Sequence, residues 1–301
     1  MKKYNHLNGW LNINKPYRVS SFKTIYLVKK ILNIKKIGHA GTLDPLATGV
    51  LPVALGEATK AISYIFESEK SYKFSVTWGA QTSTDDIEGE IIKSTIKRPS
   101  KNHIINAIKN YIGEIMQIPP DYSAVKTNGE RAYKLARKGQ SIKLNEKKVH
   151  IFELYLDKII DNDTAVFFMR CSKGTYVRSL VRDIGKELGV FAHVKSLHRT
   201  SVGDFVEKNS ISLDQLKELN HNFSTKDLIL PILSPINKSK LIDVSENCKD
   251  KLINGIKIPF QTKTLNCPKE GDFILTKFLN NPVAICLFQD GILNPKRVFN
   301  I

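Results

Sequence analysis

The sequence predicts an α+β fold that ends in a small all-β module. Three observations carry this. Strand and helix periodicities interleave through roughly the first 240 residues. Beyond a polar stretch at Asn237–Lys240, short strand signals separated by Gly255, Pro259, Pro268, Gly271, Pro282, Gly291 and Pro295 take over. Hydrophobic residues make up 42% of the 301, enough for a sizeable core and against global disorder.

Taken in order, Gly9–Asn14 reads as a short apolar strand stopped by Lys15-Pro16, and Ser20 or Ser21 caps a helix that runs through Asn33. Gly38–Gly49 holds three glycines and a proline in twelve residues and is a shaped loop. Val50–Leu55 is a buried strand, and Glu57–Phe66 a helix. Tyr72, Phe74, Val76 and Trp78 alternate as on a half-buried strand, followed by the polar loop Gln81–Asp86. Ser100 caps a helix whose apolar positions run from Ile104 to Ile115 and which Pro119-Pro120 ends. Residues 121–147 are basic and carry one short helix, Glu130–Lys138; they read as an insertion over a surface. Val149–Ile160 and Thr164–Cys171 pair as strands, a helix runs from Tyr176 to Leu188 before Gly189, and Ala192–Arg199 is another strand.

The chain carries 46 Lys+Arg against 29 Asp+Glu, a net charge of +17. The surplus is concentrated: residues 1–60 contribute +8, residues 121–150 +5 and residues 170–199 +5. Such clustering points to a polyanion-binding surface built from three segments, and nucleic acid is the commonest polyanion in a cytoplasm. No apolar stretch follows Lys2 and Lys3, and none approaches the ~20 residues of a membrane helix, so no secretory signal or membrane span is expected. The four cysteines form no C-x-x-C pair, which excludes a thiolate zinc knuckle and a disulfide framework. Phosphate-cradling P-loops and G-x-S-x-G elbows are also missing, and Asp85-Asp86 lacks the ligand count for a metal held by oxygen.

Asp44, rigid in the Gly-rich loop and followed by Pro45, is the first candidate for chemistry. Arg178 and Arg182 share a helix face at i, i+4, where they repel unless an anion lies between or opposite them. An Asp44–Arg178 pair would keep the carboxylate charged in a partly dry pocket, as a nucleophile needs. The same residues also fit a turn cap and an Arg178–Asp183 or phosphate contact. His39, on the same loop, suits a place in a stack of bases or a bond to backbone; Tyr72, beside Lys70 and Lys73, suits a nucleobase face or the core.

Several ordered motifs carry a resemblance. Gly38-His39-Ala40-Gly41-Thr42-Leu43-Asp44-Pro45-Leu46-Ala47-Thr48-Gly49 closely resembles the catalytic loop of the bacterial TruB family, the tRNA pseudouridine-55 synthases. Leu11–Pro16 with Ser20-Ser21 looks like that family's opening motif, and Lys70-Ser71-Tyr72 like its active-site tyrosine strand. Ile118–Lys126 resembles the segment before its RNA-gripping thumb, and Cys171–Leu180 its arginine motif. Ala192–Val194 with Leu197 and Arg199 extends the match to about residue 200; the tail matches more loosely. Asp121 and Thr127 depart from the family pattern in the thumb contact.

The resemblance implies a pseudouridine-synthase catalytic domain over 1–240, a mixed β-sheet flanked by helices with a thumb at about 121–147. It also implies a β-barrel-like PUA domain over 241–301. It implies isomerisation of uridine 55 in the tRNA T arm by base flipping, with no cofactor, no metal and no obligatory protein partner. A cytoplasmic monomer is expected. Asp44 would be the essential aspartate; Tyr72, His39, Tyr176, Arg178 and Lys15 would bind substrate. A catalytically silent RNA binder, an RNA-guided relative and a metal nuclease are the competing readings.

Overall fold

The computed structural model describes residues 4–127, 129–140, 142–221, 225–237, 240–260 and 268–301. Cys267, parts of the expected thumb and of the expected boundary at Asn237–Lys240, and the N-terminal Met1–Lys3 lie outside them.

In chain order the first half holds strand β1 (Gly9–Lys15), helix α1 (Ser21–Leu32), β2 (Ile37–His39), β3 (Thr48–Leu55), α2 (Ile62–Phe66), β4 (Lys70–Trp78), β5 (Ala80–Thr82), β6 (Ile91–Ser94), α3 (Lys101–Lys109) and β7 (Gly113–Gln117). The short hairpin of β8 (Lys126–Thr127) and β9 (Glu130–Arg131) leads to α4 (Ala132–Arg137), β10 (Lys147–Ile159), β11 (Thr164–Cys171), α5 (Val177–Glu187), β12 (Ala192–Val202), β13 (Phe205–Val206) and α6 (Leu213–His221).

The large sheet runs β1-β3-β12-β4-β11-β10-β7, with β2 on β3 and β13 on β12. Its pairs are antiparallel except β12 on β3, which is parallel through His198–Thr48 and Arg199–Gly49, so the sheet is mixed. That junction fixes the site. Arg199 lies beside the end of the Gly-rich loop on one side and opposite Tyr72 of β4 on the other. Gly49 is needed there: its φ is +99°, and a Cβ would fall 2.2 Å from the Arg199 carbonyl oxygen.

α1 forms where its cap predicts. Ser20 Oγ accepts from the Lys23 amide, and Asn33 closes the helix in the left-handed region. It buries Ser21, Thr24, Val28 and Leu32, packing with Leu11, Ile13, Leu51 and Leu216. β1 is covered on both faces, because Trp10 turns the other way into a second cluster with Val50, Phe205, Leu275, Ile285 and Phe299. Leu275 and Ile285 belong to the C-terminal sheet and Phe299 follows its last strand, so the two parts of the chain share one core.

That C-terminal sheet runs β14 (Leu241–Asp243), β16 (Phe273–Phe278), β17 (Asn281–Gln289), β18 (Ile292–Val298), β15 (Ile258–Pro259). It fits the PUA-like module, with one departure from an all-β reading: α7 (Glu246–Ile253), capped by Ser245, buries Leu252 against it.

Four expected elements differ. The helix from Ser100 stops at Lys109, and Gly113–Gln117 is the edge strand β7; Gly113 at φ +97° breaks the helical path that the isoleucines continue in sequence. Glu57–Phe66 begins as a 3-10 turn, Gly56–Ala61, before α2. Gly38 and His39 leave the loop to pair with β3, shortening it to residues 40–47. On β4 the even residues face the core, while Ser71 and Ser75 on the other face are covered too; only half burial was expected.

Candidate active site

Asp44 is held by its loop's own ties to neighbouring elements. Ser21 Oγ accepts from the Leu43 amide at 2.8 Å and donates to the Leu43 carbonyl at 2.9 Å. The Arg18 amide donates to the Pro45 carbonyl at 2.9 Å, and the Ala47 amide to that of Asp44 at 3.1 Å. Lys15, fully buried, spends its ammonium on the carbonyls of Pro16, Val19 and Pro45 at 2.9, 2.6 and 3.3 Å. Burial pulls its pKa down to about 8 against the opposing pull of Asp44. These contacts make Lys15 a brace beneath the loop.

Arg178 reaches the loop from α5. Its Nη2 lies 2.9 Å from Asp44 Oδ2, with the guanidinium side chain 5% exposed and the carboxylate 35%. Nη1 donates to the Thr84 carbonyl and Nη2 to that of Tyr122, both at 3.1 Å, and Asp86 Oδ2 stands 3.7 Å away. One turn on, Arg182 bonds Asp85 Oδ2 and Asp183 Oδ1 at 3.0 Å each. The anions that the arginine spacing demanded are therefore Asp44, Asp86, Asp85 and Asp183. The alternative Arg178–Asp183 pair does not form; Asp183 belongs to Arg182. Burial raises the proton affinity of Asp85 and Asp86, and the arginines pull it back down.

Tyr176 stands at the N-cap of α5, where Gln117 holds it at both ends. The Tyr176 amide donates to Gln117 Oε1 at 2.8 Å, and its carbonyl accepts from Gln117 Nε2 at 3.1 Å. Burial pushes the Tyr176 phenol up, while Ser123 and the charge of Arg178 draw it partly back. Tyr72, also buried, is pushed up by desolvation and partly drawn back by the charge of Arg199. His39 is lowered by burial first and by Arg199 second, which favours its neutral form; its Nδ1 is buried with no hydrogen-bond partner among the described residues. Arg178 thus contacts the Asp44 carboxylate directly, the charge of Asp44 also acts on Lys15, Tyr72 and Tyr176, and that of Arg199 acts on His39.

Residues 29–177 match the model of the TruB family pseudouridylate synthase N-terminal domain, and residues 178–239 that of the tRNA pseudouridylate synthase B C-terminal domain. The chain is 45% identical over 296 residues to a tRNA pseudouridine synthase B of Ehrlichia chaffeensis, covering 97% of this chain and 99% of that one. It is 40% identical to one of Caulobacter vibrioides over 305 residues, covering 100% and 98%. The chain belongs to the TruB family of pseudouridylate synthases. Its fold is also that of Cbf5 in the archaeal box H/ACA sRNP Nop10-Cbf5 complex, at TM-score 0.77 and 23% identity over 97% of this chain and 86% of that one.

Within this TruB-family site, three residues escaped sequence reasoning. Arg199 is fully buried, its Nε donating to the Val50 carbonyl at 2.8 Å and its Nη2 to that of Gly41 at 2.9 Å. It thereby ties Gly41 of the Asp44 loop and Val50 of β3 to β12. A Cβ on Gly41 would sit 3.2 Å from Arg199 Nη1, so a glycine there gives the guanidinium its room. Asp85 and Asp86, weighed only as metal ligands, serve as buried partners of the α5 arginines. The signal available for Arg199 was its position in the matched Leu197–Arg199 stretch; for the aspartates it was the unmatched charge of Arg178 and Arg182.

Among the described residues no helix is long and apolar enough to cross a membrane.

Proposed function

We propose that this chain isomerises uridine to pseudouridine in tRNA, at position 55 of the T arm, without a cofactor. The observation that carries this reading is the Asp44 carboxylate, clamped at 2.9 Å by a buried guanidinium yet one-third open to an incoming ribose. Isomerisation breaks the N1–C1′ bond, turns the uracil, joins C5 to C1′ and moves the C5 proton to N1. Atoms and electrons balance with no donor and no redox partner.

Each residue takes a part. Asp44 presents its negative charge to C1′ while the glycosidic bond opens. Arg178 keeps that carboxylate ionised and oriented. Tyr72 stacks on the extruded uracil and assists removal of the C5 proton, Tyr176 lines the same pocket, and His39 fills the gap left in the base stack. Lys15 fixes the loop from beneath. The three basic segments bind phosphates and position the RNA, while identity is checked on the flipped base. Residues 1–240 carry the chemistry, with residues 121–147 as thumb, and residues 241–301 add an RNA-binding module. The enzyme works as a cytoplasmic monomer that needs no protein partner.

The test is release of tritium from C5-labelled uridine in a T-arm stem-loop. Wild type should release label, and Asp44→Asn should abolish release while retaining nearly all affinity for tRNA. Loss of affinity together with activity would make Asp44 a structural residue and defeat the reading.

A further inference from the structure

We propose that the outward face of α1 and the turn before it form a stacking platform for unpaired nucleotides of the RNA substrate. This rests on the RNA-modifying reading above and adds a surface outside the pocket of Asp44.

Three large aromatic side chains stand in solvent there: Phe22 at 75% exposure, Tyr17 at 51% and Tyr26 at 40%. α1 has a buried face for apolar groups, and it is already filled by Thr24, Val28 and Leu32. The aromatics are therefore surplus to packing. Cations interleave with them: the Arg18 guanidinium lies 5.3 Å from the Tyr17 ring centroid, and the Lys23 and Lys30 ammoniums lie 5.2 and 5.1 Å from that of Tyr26. From Lys15 to Lys36 the sequence has seven Lys/Arg and no acid. The first turn of α1 has no carboxylate, although the helix dipole would favour one. Flat rings set among positive charge suit the two faces of a single strand, its bases and its phosphates. An acidic protein partner would use the charge and leave three ring faces without a match.

The platform adjoins the chemistry. Arg18, in the left-handed region at φ +61°, donates its amide to Pro45, the residue after Asp44. Its charge acts on Glu88 alongside those of Asp44 and Arg178. Nucleotides next to the extruded uridine are therefore the strand within reach.

Binding of tRNA transcript to the full chain, followed by fluorescence anisotropy across a salt series, tests this. Phe22→Leu and Tyr26→Leu keep the apolar bulk and remove the flat face. Each should weaken binding about tenfold with the salt slope unchanged. Phe22→Trp should bind at least as tightly as wild type. Lys23→Gln with Lys30→Gln should flatten the slope instead. Leucine variants that bind like wild type, or a tryptophan variant as weak as leucine, would overturn the platform. So would RNA carrying 5-iodouridine beside the target that fails to crosslink within residues 17–30. Failure of wild type itself to bind tRNA would strike the functional reading, and is read without any variant.

Discussion

Arg178 meets Asp44 through a single Nη2–Oδ2 contact of 2.9 Å while the same guanidinium is pinned by the carbonyls of Thr84 and Tyr122. The carboxylate is thus oriented by a group that is itself fixed from two other loops. Lysine at this position keeps the charge and loses the planar fork. Arg178→Lys should lower the single-turnover rate about a hundredfold, the scale expected for an ångström of misplacement. Rapid-quench measurement of tritium release at saturating RNA reads this directly.

Arg199 should matter to stability before it matters to rate. Arg199→Met leaves the carbonyls of Val50 and Gly41 buried without a donor, each worth about 1–3 kcal/mol. The variant should lose roughly 2–6 kcal/mol in urea unfolding. Arg199→Lys, with one point charge for two divergent donors, should recover only part of it.

Lys15 gives stability a pH dependence of known sign. Its folded pKa is about 8, below the ~10.4 of an unfolded lysine. Between those values the unfolded chain holds a proton that the native chain has released, so this group makes stability rise with pH. The slope cannot exceed about 1.4 kcal/mol per pH unit. Urea unfolding between pH 8 and 9.5 should show a steeper rise for wild type than for Lys15→Met, and equal slopes would refute the assignment.

Binding of RNA should fall steeply with salt, by about 0.9 in log–log slope for every phosphate contacted. Exposed cations of α4 are the simplest to remove. Lys134→Gln with Arg137→Gln should reduce the slope by about two in a filter-binding series if both touch phosphate.

Where local rules govern, the sequence was legible. The helix cap, at Ser20 of the two serines offered, the alternation from Tyr72 to Trp78 and the pairing of the strands on either side of residues 161–163 depend on neighbours in the chain, and each stands where it was expected. The Asp44–Arg178 contact was legible through its motifs, because a helical arginine pair needs anions. Gly113–Gln117 was misread because Ile108, Ile112 and Ile115 keep helical spacing across a glycine whose positive φ sequence does not display. Arg199 was passed over since an arginine on a strand ordinarily faces water, and only the parallel β3–β12 junction, 150 residues apart for Thr48 and His198, encloses it. Asp85 and Asp86 look alike in sequence for a cation site or a guanidinium partner. Only the arrival of α5, 97 residues later for Arg182, distinguishes the two.

The cluster around Trp10 takes side chains from both ends of the chain, and Ala40, at the start of the Asp44 loop, belongs to it. A protein cut after residue 240 would lose Leu275, Ile285 and Phe299 from that cluster and should come out of solution as aggregate. The intact chain should give one calorimetric endotherm, since melting the tail first would uncover the floor under the aspartate's loop.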